Sequence, residues 1–182
     1  MSFDSFISNG EQYDLSSDDV MEITDNKYKF ILYHDLEKYN NIDEVLGQNK
    51  GVILLFQNEN HDSGHWVSLW LDDDTLYFWD SYGLMIDEEL KYTEFTRRIH
   101  EGKIVPHLTH LVEQSNYKVI SNTYRYQKFK THVNTCGRFC ATRLKMRDTS
   151  EEEFKKLLTK NKYYDADFWI TVLTMHYGIS DI

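Results

Sequence analysis

Proline is almost missing from this chain: Pro106 is the only one in 182 residues. There is no proline-rich stretch, no internal repeat and no low-complexity run, so nothing marks a linker and the length fits one domain. A domain of this size buries about 70% of its unfolded surface and needs neither disulfide nor metal to hold it together. Cysteine is scarce as well. Cys136 and Cys140 are the only two, and on a helix they lie one turn apart, a poor geometry for a disulfide. A disulfide framework is therefore excluded, and a reducing compartment is expected. Long apolar runs are absent: none reaches the ~18 residues of a membrane span, so no membrane partner is expected. The stretch from Met1 to Asp25 is acidic and polar. It reads as neither a signal nor a transit peptide, and secretion is not expected.

Basic residues are missing from one half of the chain. Residues 1–94 carry 5 Lys/Arg against 21 Asp/Glu, within a net charge of −10. Residues 115–147 reverse the sign, with 8 Lys/Arg and no acid. One reading is a charged, solvated surface. The other is a positive belt around Cys136 that favours a thiolate and attracts an acidic partner. The overall charge argues against a dedicated nucleic-acid binder, while the belt permits weak nucleic-acid contact through residues 115–147.

The elements follow from pattern. Residues 1–14 read as a loose lead-in, and Ser16-Ser17-Asp18-Asp19 cap a short helix starting near Val20. Asn41 to Gly47 reads as a capped helical turn closed by glycine. Gly51 to Phe56 is a continuous apolar run, hence a buried strand. Trp66–Leu71 and Thr75–Asp80 both alternate and flank the acidic turn Asp72-Asp73-Asp74, which predicts a hairpin. If Trp70 pairs with Thr75, His65 lies directly opposite Asp80. Opposed residues share a sheet face, so both join the face of Val67, Leu69, Leu71, Leu76 and Phe78. A helix is predicted over Asp87–Gly102, a strand over Tyr117–Gln127, and a helix from Cys136 to Arg147. Ser150 and Glu153 form a capping box for a helix to about Asn161. Asp165 caps a last apolar helix ending at Gly178. The class is α+β, a central mixed or antiparallel sheet flanked by helices.

A cysteine nucleophile needs an activated thiol, a base and donors for the oxyanion. Cys136 follows Asn134-Thr135, both good N-cap residues, and at the first turn of a helix the dipole favours a thiolate. Gly137 then lets a substrate backbone approach. Cys140, one turn on, reads as core. Of the eight histidines, His65 alone gains a carboxylate from the hairpin geometry. Asp80 would fix its tautomer and steady the imidazolium. The alternative for Asp80 is a turn-initiating acid before Ser81-Tyr82-Gly83. His107, His110 and His132 with the two cysteines match no standard zinc spacing, so no metal is expected. Gln127 is the candidate oxyanion donor, with Asn122 and Gln114 as rivals.

The order His, Asp, Gln, Cys resembles the cysteine-protease clan that holds the adenovirus maturation protease and the SUMO-specific proteases. The residues that carry it are Gly64-His65-Trp66, Phe78-Trp79-Asp80-Ser81-Tyr82-Gly83, Gln127 and Asn134-Thr135-Cys136-Gly137-Arg138-Phe139-Cys140. The Asn-Thr-Cys-Gly-Arg string is most similar to the maturation proteases of virophages, Polinton-type elements and large DNA viruses. The resemblance implies a single protease domain over 1–182, with the cysteine at a helix N-terminus. It gives His65, Asp80 and Cys136 the triad roles, Gln127 the oxyanion role, and Trp66 and Gly137 a place in substrate binding, Trp66 beside the histidine. It further implies cleavage after small residues, at Gly-Gly or Gly-X sites, and capsid precursors as the protein substrate. No cofactor is required on this reading, although a nucleic acid or peptide activator fits it. A monomer in the virion and the host virus factory is expected. The alternatives are a protease that removes a ubiquitin-like or SUMO modifier, and a non-catalytic binding module that keeps the fold.

Overall fold

The structure, a computed structural model, describes residues 3–57, 64–91 and 105–177. In chain order the elements are α1 (Phe3–Gln12), α2 (Ser17–Ile23), β1 (Lys29–Leu32), a 3-10 turn (Tyr33–Lys38), α3 (Ile42–Leu46), β2 (Gly51–Gln57), β3 (Gly64–Asp72) and β4 (Thr75–Asp80). A second 3-10 turn (Glu88–Lys91), α4 (His107–Glu113), β5 (Lys118–Ser121), α5 (Cys136–Lys145), α6 (Glu151–Thr159) and α7 (Ala166–Thr174) follow.

The five strands form one mixed sheet in the order β1-β2-β3-β4-β5. The β2–β3 and β3–β4 pairs are antiparallel; the outer strands β1 and β5 run parallel to their neighbours. Alternation along the strands sorts two apolar faces. Ile53, Trp66, Trp70 and Trp79 point to the side covered by Phe139, Ala141 and Leu144 of α5, Phe154 and Leu158 of α6, and Ile170 of α7. Val52, Leu54, Val67, Leu69, Leu76 and Phe78 point to the other side, beneath Leu36, the α3 residues Ile42 and Val45, Leu90, and Leu108 and Leu111 of α4. A central sheet buried on both faces is why β2 reads as an unbroken apolar run. The class is α+β, with helices on both sides of a mixed sheet.

The local signals behave as their chemistry dictates. Ser16 and Ser150 form capping boxes with Asp19 and Glu153, and Asn41 and Asp165 cap α3 and α7 through side-chain oxygens. Gly47 closes α3 at φ +65°, in the left-handed region that favours glycine.

Four expectations need correction. The first residues are not a loose lead-in. Phe3–Gln12 is a helix, with Ile7 in the core and Gly10 packed so closely on α7 that a Cβ there would lie 2.8 Å from Thr171. The hairpin register is also different: Trp70 pairs with Tyr77 and Asp72 with Thr75. Asp73-Asp74 makes a two-residue turn, with Asp73 at φ +47°, a conformation that Asp tolerates. This shifts the register by two residues, so parity, and with it the face each residue occupies, is unchanged. The strand expected over Tyr117–Gln127 stops at Ser121, because the Asn122 side chain replaces the ladder. It accepts from the Asp80 N–H at 2.9 Å and donates to the Asp80 carbonyl at 2.7 Å. Of the helix expected over Asp87–Gly102, the described part is the 3-10 turn at Glu88–Lys91, and residues 92–102 lie outside the described residues.

Candidate active site

His65 is the second residue of β3 and pairs with Phe56 of β2. Asp80 is the last residue of β4 and pairs with Val67. They are therefore diagonal neighbours on one face at the end of the sheet. The His65 Nε2 to Asp80 Oδ2 distance is 2.7 Å, with both side chains buried. The second carboxylate oxygen accepts from the Tyr82 N–H at 2.6 Å. Together with the Asn122 clamp on its backbone, this leaves Asp80 little freedom. The Tyr82 ring stacks on the imidazole at 4.8 Å, and Phe129 packs on Tyr82 at 4.9 Å.

Cys136 is the first residue of α5 and is buried. Thr135 occupies the N-cap position, yet its hydroxyl does not cap the helix; it donates to Asp167 Oδ1 at 2.5 Å. The first helical bond runs from the Phe139 N–H to the Thr135 carbonyl. The N–H groups of the first turn beside Cys136 thus have no partner within the helix, which is the raw material of an oxyanion hole. Asp167 also accepts from the Lys128 N–H at 3.0 Å, so one carboxylate on α7 ties down both ends of the segment between Gln127 and Cys136. Burial raises the Asp167 carboxyl above the usual range, against the pull of Thr135 and the Lys128 N–H.

His65 and Cys136 interact. Burial disfavours the charged imidazole, but Asp80, by charge and hydrogen bond, and Cys136, in the same two ways, together lift His65 well above the usual histidine range. The arrangement is a buried carboxylate, an imidazole whose protonated form is favoured, and a thiol at a helix start.

The other expected residues fall in different places. Gln127 is buried, accepts from the Ser81 hydroxyl at 2.7 Å and donates to the Val133 carbonyl at 2.9 Å. It bridges the turn after Asp80 and the segment before Cys136. Trp66 does not pack beside the imidazole, because consecutive strand residues face opposite ways; Tyr82 takes that place. The indole lies on the α5 face, where a Cβ on Gly137 would sit 3.2 Å from it and 2.9 Å from Val20. Gly137 thus admits Trp66 and Val20 into close contact with the helix. Trp66 and Gly64 also line a cleft of about 390 Å³ with Leu15, Phe30, Leu32 and Leu55. Cys140 is core, as expected: its thiol donates to the Trp66 carbonyl at 2.8 Å, and burial raises it well above the ordinary thiol range.

The positive belt is thinner than the sequence suggests. Arg138 is buried, donates to Thr174, and burial lowers it to about 10. Arg143 is buried among Glu151, the Met146 and Thr149 carbonyls and the Trp70 ring. Lys128 pairs with Asp165, and Lys145 with Asp25.

Asp167 and Glu89 carry no sequence signal of their own, and Asn122, weighed as an oxyanion donor, instead clamps the Asp80 backbone. Asn122 and Asp167 act through folding back onto distant backbone. Glu89, in the second 3-10 turn, brings a carboxylate oxygen to within 4.8 Å of the nearest His65 and Asp80 donor atoms. Among the described residues His65, Asp80 and Glu89 are the group whose donors could converge on a cation, but those of His65 and Asp80 already bond to each other.

No family model matches the chain. Its sequence is 34% identical over 169 residues to the uncharacterized protein V9 of Sputnik virophage, across 91% of this chain and 96% of that relative. Two structures of the ASFV pS273R protease superpose with TM-scores of 0.46 and 0.49 at 12% and 14% identity. They cover 93% of this chain and 68% and 69% of theirs. The SUMO protease Ulp1, with its catalytic cysteine oxidized to a sulfinic acid, gives a TM-score of 0.40 at 11% identity, over 97% of this chain and 84% of that one. On the strength of the sequence match, the chain belongs to the family of the Sputnik virophage protein V9.

Proposed function

We propose that this protein is a cysteine endopeptidase with His65, Asp80 and Cys136 as its triad. The observation that carries the reading is the 2.7 Å contact between His65 and Asp80 with Cys136 coupled to the same imidazole. Because Nε2 bonds to Asp80, Nδ1 is the ring nitrogen left to exchange a proton with the thiol. The Cys136 sulfur, its proton passed to His65, attacks the scissile carbonyl carbon. The resulting oxyanion is met by first-turn N–H groups of α5 and by the Gln127 amide, which has two N–H groups and gives one to Val133. Collapse breaks the C–N bond, and His65 hands its proton to the departing amine. The imidazole then deprotonates water, which attacks the acyl-enzyme and frees the sulfur.

The substrate we propose is a virion precursor protein cut after small residues at Gly-Gly or Gly-X, with the cleft beside Trp66 receiving part of the chain. A nucleic acid or peptide activator and a place in the virion or the virus factory belong to the same proposal. The test is cleavage of a Gly-Gly peptide and of a capsid precursor, with a ubiquitin-like fusion in parallel. Cys136→Ala is expected to abolish turnover. Undiminished turnover in that variant overturns the triad, and preference for the fusion overturns the substrate.

A further inference from the structure

Beyond the triad itself, the site holds a carboxylate that the mechanism above leaves unused. We infer that Glu89 is a positioning residue: it faces the His65–Asp80 pair as a second carboxylate, stabilises the imidazolium by charge, and so sets the alkaline limit of the reaction. The inference rests on the cysteine-protease reading of the same site.

The first support is geometric. The nearest donor atoms of His65, Asp80 and Glu89 all lie within 4.8 Å of one another. An opposite charge at about 4–6 Å changes the proton affinity of an imidazole directly. The second support is that the turn carrying Glu89 is built in place. Asp87, at φ +59°, accepts from the Tyr33 hydroxyl at 2.8 Å and from the N–H and hydroxyl of Thr109 at 2.8 and 2.7 Å. Leu90 is buried in the core on the α4 side of the sheet, and the Glu88 carboxylate accepts from the Met85 N–H at 3.0 Å. Anchors on both sides of Glu89 hold its backbone at the site. The third support is cost. Burial and the neighbouring Asp80 both disfavour ionised Glu89, whereas His65 favours it. Two carboxylates near one another are tolerated where a cation is shared, and the His65 imidazole, once protonated, lies within 4.8 Å of an oxygen of each.

The groups facing the imidazole are Asp80 from β4, Tyr82 from the turn after it, Glu89 from the 3-10 turn and Cys136 from α5. Those acting on Glu89 are His65 and Asp80. Removing the Glu89 charge therefore weakens the hold on the imidazolium while leaving its hydrogen bond to Asp80 intact. Burial raises the Glu89 carboxyl above the ordinary carboxylate range, so its charge, and its influence on the imidazole, is weakest in acid. The effect belongs on the alkaline limb alone.

The experiment compares wild type, Glu89→Gln and Glu89→Asp across pH. It reads kcat/KM with the Gly-Gly peptide and, independently of any substrate, the NMR titration of the His65 ring. Glu89→Gln is expected to move the alkaline limb and the imidazole titration downward by about one pH unit. The acid limb should stay in place, and Glu89→Asp should recover part of the shift. If the glutamine variant fails to fold, the partial downward shift in Glu89→Asp alone reads the same quantity, since its carboxylate is withdrawn by one methylene. An unmoved imidazole titration in a folded variant overturns the inference. The protease reading fails separately, by undiminished cleavage in Cys136→Ala, and the NMR titration still decides the role of Glu89 in that case.

Discussion

Asp167 shows how much a single residue outside the proposed triad can govern. Its two oxygens take the Thr135 hydroxyl and the Lys128 N–H, and those residues bracket the segment that delivers Cys136 to the helix start. Nothing in the local sequence of α7 marks it, whereas Asp165 two residues earlier announces itself as an N-cap. Truncation to Ala strands the buried Thr135 hydroxyl and releases the half-buried Lys128 N–H, at a cost of about 1–3 kcal/mol. Asp167→Ala is expected to lower the denaturation midpoint accordingly and to slow alkylation of Cys136 more than that of any exposed thiol reference. Chemical denaturation and timed iodoacetamide labelling check the two effects together. Unchanged labelling in the folded variant means that the clamp serves stability alone.

The elements differ in how openly the sequence declares them. Helix starts were legible because capping is local: Ser16, Asn41, Ser150 and Asp165 each carry their partner within three residues. The hairpin was legible in parity but not in register. Alternation assigns a face to each residue, so His65 and Asp80 were joined correctly. The turn length, which depends on Asp73 entering a left-handed conformation, moved the pairing by two residues. β5 ended early because Asn122, weighed from sequence as a rival oxyanion donor within the strand, reaches back across the sheet to the Asp80 backbone. α1 was missed since its burial comes from α7, about 160 residues away. At the site, Asn134-Thr135 signalled the helix start at Cys136, yet neither side chain caps it, Thr135 turning to Asp167 and Asn134 to the Gln12 carbonyl; Glu89 and Asp167 are long-range neighbours that no spacing rule reveals.

For the molecule as a whole, the charge asymmetry looks different once folded. Two of the arginines in the basic stretch are internal supports, and two of the lysines meet carboxylates from elsewhere in the chain. Any activating polyanion must therefore work with less positive surface than the sequence suggests. Stability should also carry the signature of the site. His65 is raised in the folded state, so its contribution is complete below the unfolded histidine value of about 6.5 and is lost as pH rises through the folded value. The melting temperature is expected to decline over that interval, and His65→Gln should flatten the decline. A scan of Tm against pH for both proteins measures it; parallel curves would remove the imidazole from the pH dependence.

The proposed function requires Cys136, set beside His65 and Asp80, to be a reactive thiol in a folded site. Its most direct measurement is the rate of iodoacetamide alkylation at neutral pH, resolved between Cys136 and Cys140 by mass spectrometry, in wild type and in His65→Ala. Fast, selective modification of Cys136 that collapses when His65 is removed is the expected result, while Cys140, held against the Trp66 carbonyl, stays unmodified. Equal, slow labelling of both thiols, unaffected by loss of His65, would contradict it.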